Sequence, residues 1–177
     1  GVNRTWDGGG TDGTCGGSAG DGNKWACAAN WSGDTAPTAS DVAIFDGTST
    51  KDATIAANIS VAGISINAGY TGTITQSGSF TVTVGSSHYS QADGTFTGGS
   101  GAIAITGTYT QSGGTFTSTS GTLTIGASLI SATTIFTLSG GTFNHNSGTV
   151  SFVPSPGSCA NQAYTVDVLT SLTLYNI

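Results

Sequence analysis

YSQADGTFTGGSGAIAI (residues 89–105) and YTQSGGTFTSTSGTLTI (residues 109–125) are two copies of one unit. In register they place Tyr89 on Tyr109, Gln91 on Gln111, Gly94 on Gly114, Phe96 on Phe116, Gly101 on Gly121, Ile103 on Leu123 and Ile105 on Ile125, all 20 residues apart. A third copy, FTLSGGTFNHNSGTVSF (136–152), follows the second at an offset of 27. There Phe136 takes the Tyr109 place, Phe143 that of Phe116, Gly148 that of Gly121, and Val150 and Phe152 those of Leu123 and Ile125. The seven extra residues fall within GASLISATT (126–134). ITQSGSFTVTV (74–84) reads as an earlier, imperfect copy, with Ile74 in the Tyr place, Gln76 in the Gln place and Phe80 one residue early.

A short period with strand-like segments is the mark of a repeat architecture whose units stack. Leu123 and Ile125 alternate with Thr122 and Thr124, so the apolar pair shares one face of a strand and the threonines the other. The Ser-Gly and Gly-Gly pairs fall where the chain must turn. One unit has too few apolar groups to bury itself. Stacking aligns Tyr89 over Tyr109, Phe96 over Phe116 and Phe143, and Ile105 over Ile125 and Phe152. The expected fold is all-β: a parallel β-helix, a β-solenoid of the right-handed type, with coils of about 20 residues and about six rungs at ~4.8 Å each. A β-sandwich of pilin type, in which the repeat would echo hairpins, is the alternative.

Working outward, ATIAANISVAGISINAGYTGTI (53–74) carries Ile55, Ile59, Val61, Ile64 and Ile66 between small or polar residues, as first coils would. Residues 1–52 differ in kind: they hold Trp6, Trp25 and Trp31, all three cations and seven of the nine aspartates. A solenoid must keep its open end from pairing with other chains. Residues 1–52 are therefore expected to form an N-terminal cap ending in the strand DVAIFD (41–46), with rungs over 53–163. The last stretch, AYTVDVLTSLTLYNI, is the most apolar in the chain. Tyr164, Val166, Val168, Leu172, Leu174 and Ile177 in residues 164–177 are expected to form an uncovered edge that contacts the next subunit.

Composition excludes several classes. Gly (29), Thr (31) and Ser (23) make up nearly half of 177 residues, while Glu and Met are absent, which favours strands and turns over helices. Three Lys+Arg cannot neutralise a row of phosphates, so nucleic acid is not an expected partner. No apolar run reaches the ~18 residues of a membrane-spanning helix. Cys15 and Cys27 flank a Gly/Asp-rich loop, and Cys159 lies in PSPGSCANQ. Cysteines in the loops of such a chain point to an oxidising compartment. Cys15–Cys27, the most local pair, is expected to be bonded, closing a loop of about 13 residues worth roughly 3 kcal/mol in the chain-entropy model. Cys159 is left free or bonded between subunits.

The run TWDGGG…NWSGDTAPTASDVAIFDG, then ATIAANISVAGISI, then QSGGTF…SGTLTI resembles repeat-rich secreted bacterial surface proteins, the adhesin and autotransporter-associated β-solenoids. That resemblance implies an extracellular, cell-surface location and a structural or adhesive role, with no catalytic residues to carry over.

β-Helix lyases and hydrolases need paired carboxylates, or Asp with Lys/Arg, on one face. Across 53–152 the only acid is Asp93, beside His88, with no Lys or Arg after Lys51, so no enzyme is expected. No cofactor is expected either. The one cation candidate is Ca²⁺ at DGGGTDG (7–13) with Asp21, which matches neither an EF-hand loop nor tandem GGxGxD repeats and reads as a turn cluster. The tryptophans would suit a sugar-stacking platform or a small core. Thr-x-Thr runs are what ice-binding β-solenoids resemble, but Ala102 and Ala104 replace Thr122 and Thr124, so Thr reads as a solvated strand residue. The function expected is a self-assembling subunit of a surface fibre or matrix, pairing head to tail with its own copies. A glycan- or surface-binding adhesin module is the alternative, ahead of an ice-binding or a carbohydrate-active protein.

Overall fold

The computed structural model of the protein describes residues 1–9, 15, 24–155 and 162–177. These form a β-solenoid with three parallel sheets and one short 3-10 helix, Ala28–Asn30. After β1 (Asn3–Thr5), five coils each contribute three strands. The first coil holds β2 (Val42–Phe45), β3 (Ala53–Ile55) and β4 (Ile59–Val61). The second holds β5 (Gly63–Ile66), β6 (Thr73–Gln76) and β7 (Val82–Val84), and the third β8 (Tyr89–Gln91), β9 (Thr95–Thr97) and β10 (Ile103–Ile105). The fourth holds β11 (Tyr109–Gln111), β12 (Thr115–Thr117) and β13 (Thr122–Ile125), and the fifth β14 (Thr133–Leu138), β15 (Thr142–Asn144) and β16 (Thr149–Phe152). β17 (Tyr164–Val168) begins a sixth.

Each sheet collects one strand per coil. The first face runs β1-β2-β5-β8-β11-β14-β17, the second β3-β6-β9-β12-β15, and the third β4-β7-β10-β13-β16. Five full coils replace the six expected because the period is not constant. Ile64 pairs with Tyr89, Tyr89 with Tyr109, and Tyr109 with Phe136, so successive coils differ in length.

Strands of three or four residues cannot hold themselves together, so the inward columns carry the fold. On the second face Ala53, Ile74, Phe96, Phe116 and Phe143 stack in register. The Phe96, Phe116 and Phe143 rings lie 5.1 and 5.5 Å apart at interplanar angles of 14° and 20°. On the first face Tyr89, Tyr109 and Phe136 stack at 5.2 and 4.7 Å, and their edges meet the phenylalanine column. On the third, Val61, Val84, Ile105, Ile125 and Phe152 align. All of these are buried except Phe152, which is half-buried at the end of its column. Successive rings turn little, so the coils stack with little twist, as side-chain ladders allow.

The early copy sits in a different register from the one its residues suggest. Ile74 pairs with Phe96, and Ile64 and Ile66 hold the Tyr and Gln places under Tyr89 and Gln91. Phe80 lies outside the columns, 38 % exposed. Parallel pairing of Thr73 and Thr75 with Thr95 and Thr97 sets this alignment, and the resemblance of ITQ to YTQ has no part in it.

The described strands within residues 1–52 join the coils. β2 pairs with β5 and β1 with β2, extending the first face, while Trp25 donates its backbone N–H to Thr54 at 2.9 Å above β3. Asp41 ties the chain start to β2: it accepts from Val2 N–H (2.9 Å), the Thr38 hydroxyl (2.7 Å) and Thr38 N–H (3.0 Å). These bonds, that from Val2 foremost, hold its carboxyl down to about 2.

Candidate functional site

The two ends of the rod are built differently. At the N-terminal end Trp6, Trp25 and Trp31 are buried, only 0–2 % exposed, and surround Phe45, with ring centroids 5.4–5.6 Å from it. The Trp6 and Trp31 indole N–H groups donate to Lys51 O and Trp25 O, respectively. Rings this enclosed form a plug and present no platform to a sugar. Cys15 and Cys27 are disulfide-bonded, with Cα atoms 4.9 Å apart, and brace the plug. Ser32 closes part of the β1 edge, its hydroxyl accepting from Thr5 N–H while its own N–H donates to Thr5 O.

At the other end the columns run on into β17. Val166 pairs with Phe136 and Val168 with Leu138, so Val166 continues the aromatic column of the first face. Among the described residues nothing pairs with the outer side of β17. Asn176 bridges Thr149 on the edge of β16, and Val150 N–H donates to Asn176 O at 3.0 Å. Over β15 the chain stands off, leaving a groove of about 450 Å³ between Gly141–Asn146 and Thr170–Thr173. Of the six described residues expected at a subunit contact, Tyr164, Val168, Leu172 and Leu174 pack on the chain's own core, and the Tyr164 hydroxyl donates to Leu129 O. Val166 (45 %) and Ile177 (83 %) are exposed, together with Leu169 and Tyr175. Cys159, Asp12 and Asp21 lie outside the described residues.

Asp93 and His88 are both engaged by backbone. Asp93 accepts from Gly69 N–H (3.1 Å) and Gly94 N–H (2.9 Å), and His88 Nδ1 accepts from Thr108 N–H (2.9 Å). Among the described residues no three His, Cys, Asp or Glu side chains gather as a metal site would require.

One arrangement goes beyond what the repeat alignment assigned. Tyr89 donates its hydroxyl to Gln91 Oε1 (2.8 Å), and the Gln91 amide donates to Asp93 O, Gly94 O and, one coil on, Thr115 O. Tyr109 and Gln111 repeat this with Gly113 O, Gly114 O and Thr142 O. Both glutamines are buried, so each spends its amide on corner carbonyls and links its coil to the next. Burial pushes the Tyr89 and Tyr109 hydroxyls well above the usual tyrosine range.

The outward side chains of the three faces also differ. The second face presents Thr73, Thr95, Thr115 and Thr142 in one column and Thr54, Thr75, Thr97, Thr117 and Asn144 in the next. The third face drifts, with Ser60, Thr83, Ala104, Thr124 and Ser151 in one column. Ala104, which interrupts the threonine pattern, lies on the third face. The signal on the second was already present in the matched TFT of both central copies.

Compared with protein-family models, curated proteins and solved structures, the chain matches none. No helix among the described residues is long and apolar enough to cross a membrane.

Proposed function

We propose that this chain is a rod element of an extracellular surface fibre, extended by end-to-end contact between its own copies. The observation that carries this is the passage of two inward columns into β17 with no polar stop, leaving Val166 exposed over Phe136. Natural proteins block such an edge with charge, proline or a covering segment. Here one end is plugged by tryptophans, while at the other Asn176 bridges β16 and the outer edge of β17 is unpaired among the described residues, so any end-to-end contact joins unlike surfaces. A contact of that kind that does not close on itself gives a filament. In the fibre, residues 164–177 of one copy seat against the N-terminal unit, residues 1–52, of the next.

Location outside the cell is supported by the Cys15–Cys27 bond, which persists in oxidising compartments. Catalysis forms no part of this reading, because Asp93 and His88 are spent on turn backbone. Negative-stain microscopy and light scattering over a concentration series test it. Intact protein should form fibres, and Val166→Lys should leave folded monomers. Intact protein that stays monomeric at high concentration, or Val166→Lys protein that forms the same fibres, overturns it.

A further inference from the structure

We infer that the second face is an ice-binding surface, a site separate from the rod's ends. Its outward residues form a two-dimensional grid. Thr73-x-Thr75, Thr95-x-Thr97 and Thr115-x-Thr117 sit in register on adjacent coils, and Thr142-x-Asn144 closes the array. Neighbouring coils are about 4.8 Å apart, and residues i and i+2 along a strand roughly 6.7 Å apart. Both spacings lie close to oxygen repeat distances on the prism faces of hexagonal ice.

Strand propensity does not account for this array. It acts equally on all three sheets, yet the third face carries Ala104 and Ser151 at outward positions, and the first carries Ile44, Ser65, Ser90, Thr110, Thr137 and Asp167 in one column. Paired threonine columns occur on the second face alone. The support beneath them is regular, since Phe96, Phe116 and Phe143 stack within 20° of parallel and keep successive strands aligned. A β-branched side chain has few χ1 states, so hydroxyls and methyls on such a base are ordered before any ligand arrives. Among the described residues only the Thr117 hydroxyl of this grid is engaged, accepting from Asn144 at 3.3 Å.

The chemistry of the grid selects its occupant. From Thr73 to Asn144 the grid carries no cation for a phosphate or an acidic polymer, and Lys24 pairs with Thr54 beyond its first row. It has no outward aromatic ring for sugar stacking, and none of the aromatic or arginine anchors of a protein interface. Neutral hydroxyls and methyls at fixed spacing complement a neutral, periodic lattice of O–H groups, with the methyls caging water that the hydroxyls anchor.

Thermal hysteresis and partition into a growing ice hemisphere test this on the full chain. Unmodified protein should depress freezing below melting and enter the ice. Thr97→Lys and Thr115→Lys, each solvent-facing and each checked for an unchanged circular dichroism melt, should lose both effects. Ala104→Lys on the third face should keep them. Unmodified protein without hysteresis or ice partition overturns the inference, as does folded Thr97→Lys or Thr115→Lys protein with full activity. Retention on crystalline cellulose or chitin without ice activity overturns it in favour of a polysaccharide lattice. These variants leave residues 164–177 unchanged, so fibre formation on the same samples is read independently.

Discussion

Replacing Phe116 by alanine strikes the centre of the core. The ring is fully buried between Phe96 and Phe143, and its edges meet Tyr89 at 5.4 Å and Tyr109 at 5.2 Å. Truncating a buried phenylalanine costs about 3–5 kcal/mol when the site cannot collapse. Collapse is hindered here because backbone pairing fixes the coils above and below. Four ring contacts worth about 0.5–1.5 kcal/mol each disappear together, which places the loss at the upper end, about 4–5 kcal/mol. For a chain of this size each kcal/mol moves the melting temperature by roughly 2–4 °C, so a fall of about 10–20 °C is expected. Phe80→Ala is the matched control, since Phe80 lies outside every column, and its cost should stay near or below about 1 kcal/mol. Thermal and urea unfolding of both variants decide the matter. Equal losses in the two, or a Phe116→Ala loss under about 1 kcal/mol, refute the stacked register.

Three further outcomes are expected. Non-reducing peptide mapping should recover Cys15 linked to Cys27, and Cys15→Ser should lower stability by about 3 kcal/mol on the loop-entropy estimate. Asp41 is held down to about 2 when folded, so its contribution is fully present above the ordinary carboxylate range and is lost as pH falls through about 2. Asp41→Asn should therefore flatten the acid limb of the stability profile measured by chemical unfolding. Gln111→Leu strips Tyr109 of its acceptor and Thr142 O of a donor in a dry interior, and should cost at least about 2 kcal/mol by the same unfolding assay.

The solenoid was legible because the three later copies share aromatic and glycine positions, and a stacked fold puts equal positions above one another. Tyr89, Tyr109, Phe96, Phe116, Phe143, Ile105 and Ile125 could be aligned without coordinates for that reason. The first two coils were harder. Their columns are filled by Ile64, Ile66, Ile74 and Ala53, which any strand could use, so the likeness of ITQ to YTQ suggested a false register. The tie of residues 1–52 to the first face was hidden as well, because β1 and β2 are 36 residues apart in the chain yet adjacent in the sheet. The role of Gln91 and Gln111 was not deducible from their repetition, since a conserved spacing does not show which corner carbonyls lack donors. The threonine grid was visible only in part. TFT recurs in the sequence, but which threonines share a face depends on where each coil turns.

Those turns explain how a chain with an irregular period keeps one regular face. From the third coil on, the corner entering the second face always has three residues, 92–94, 112–114 and 139–141. In each it ends on a glycine of positive φ, Gly94, Gly114 or Gly141. A Cβ at Gly114 would run into Asp93 O and Gly94 O of the coil below, so neither the glycine nor the corner length is free to vary. Tyr–Gln pairs clamp two of these corners from inside. Extra residues instead enter between the third face and the first, where 126–132 carry the added length and Leu129 turns in to the core while Ile130 points to solvent. A one-residue slip in a strand sends its inward side chains outward. Keeping the second face between fixed corners protects the phenylalanine column and the threonine columns together, because they are alternate residues of the same strands. Core packing and surface order on that face are one constraint, and a change that disturbs either column is expected to disturb the other.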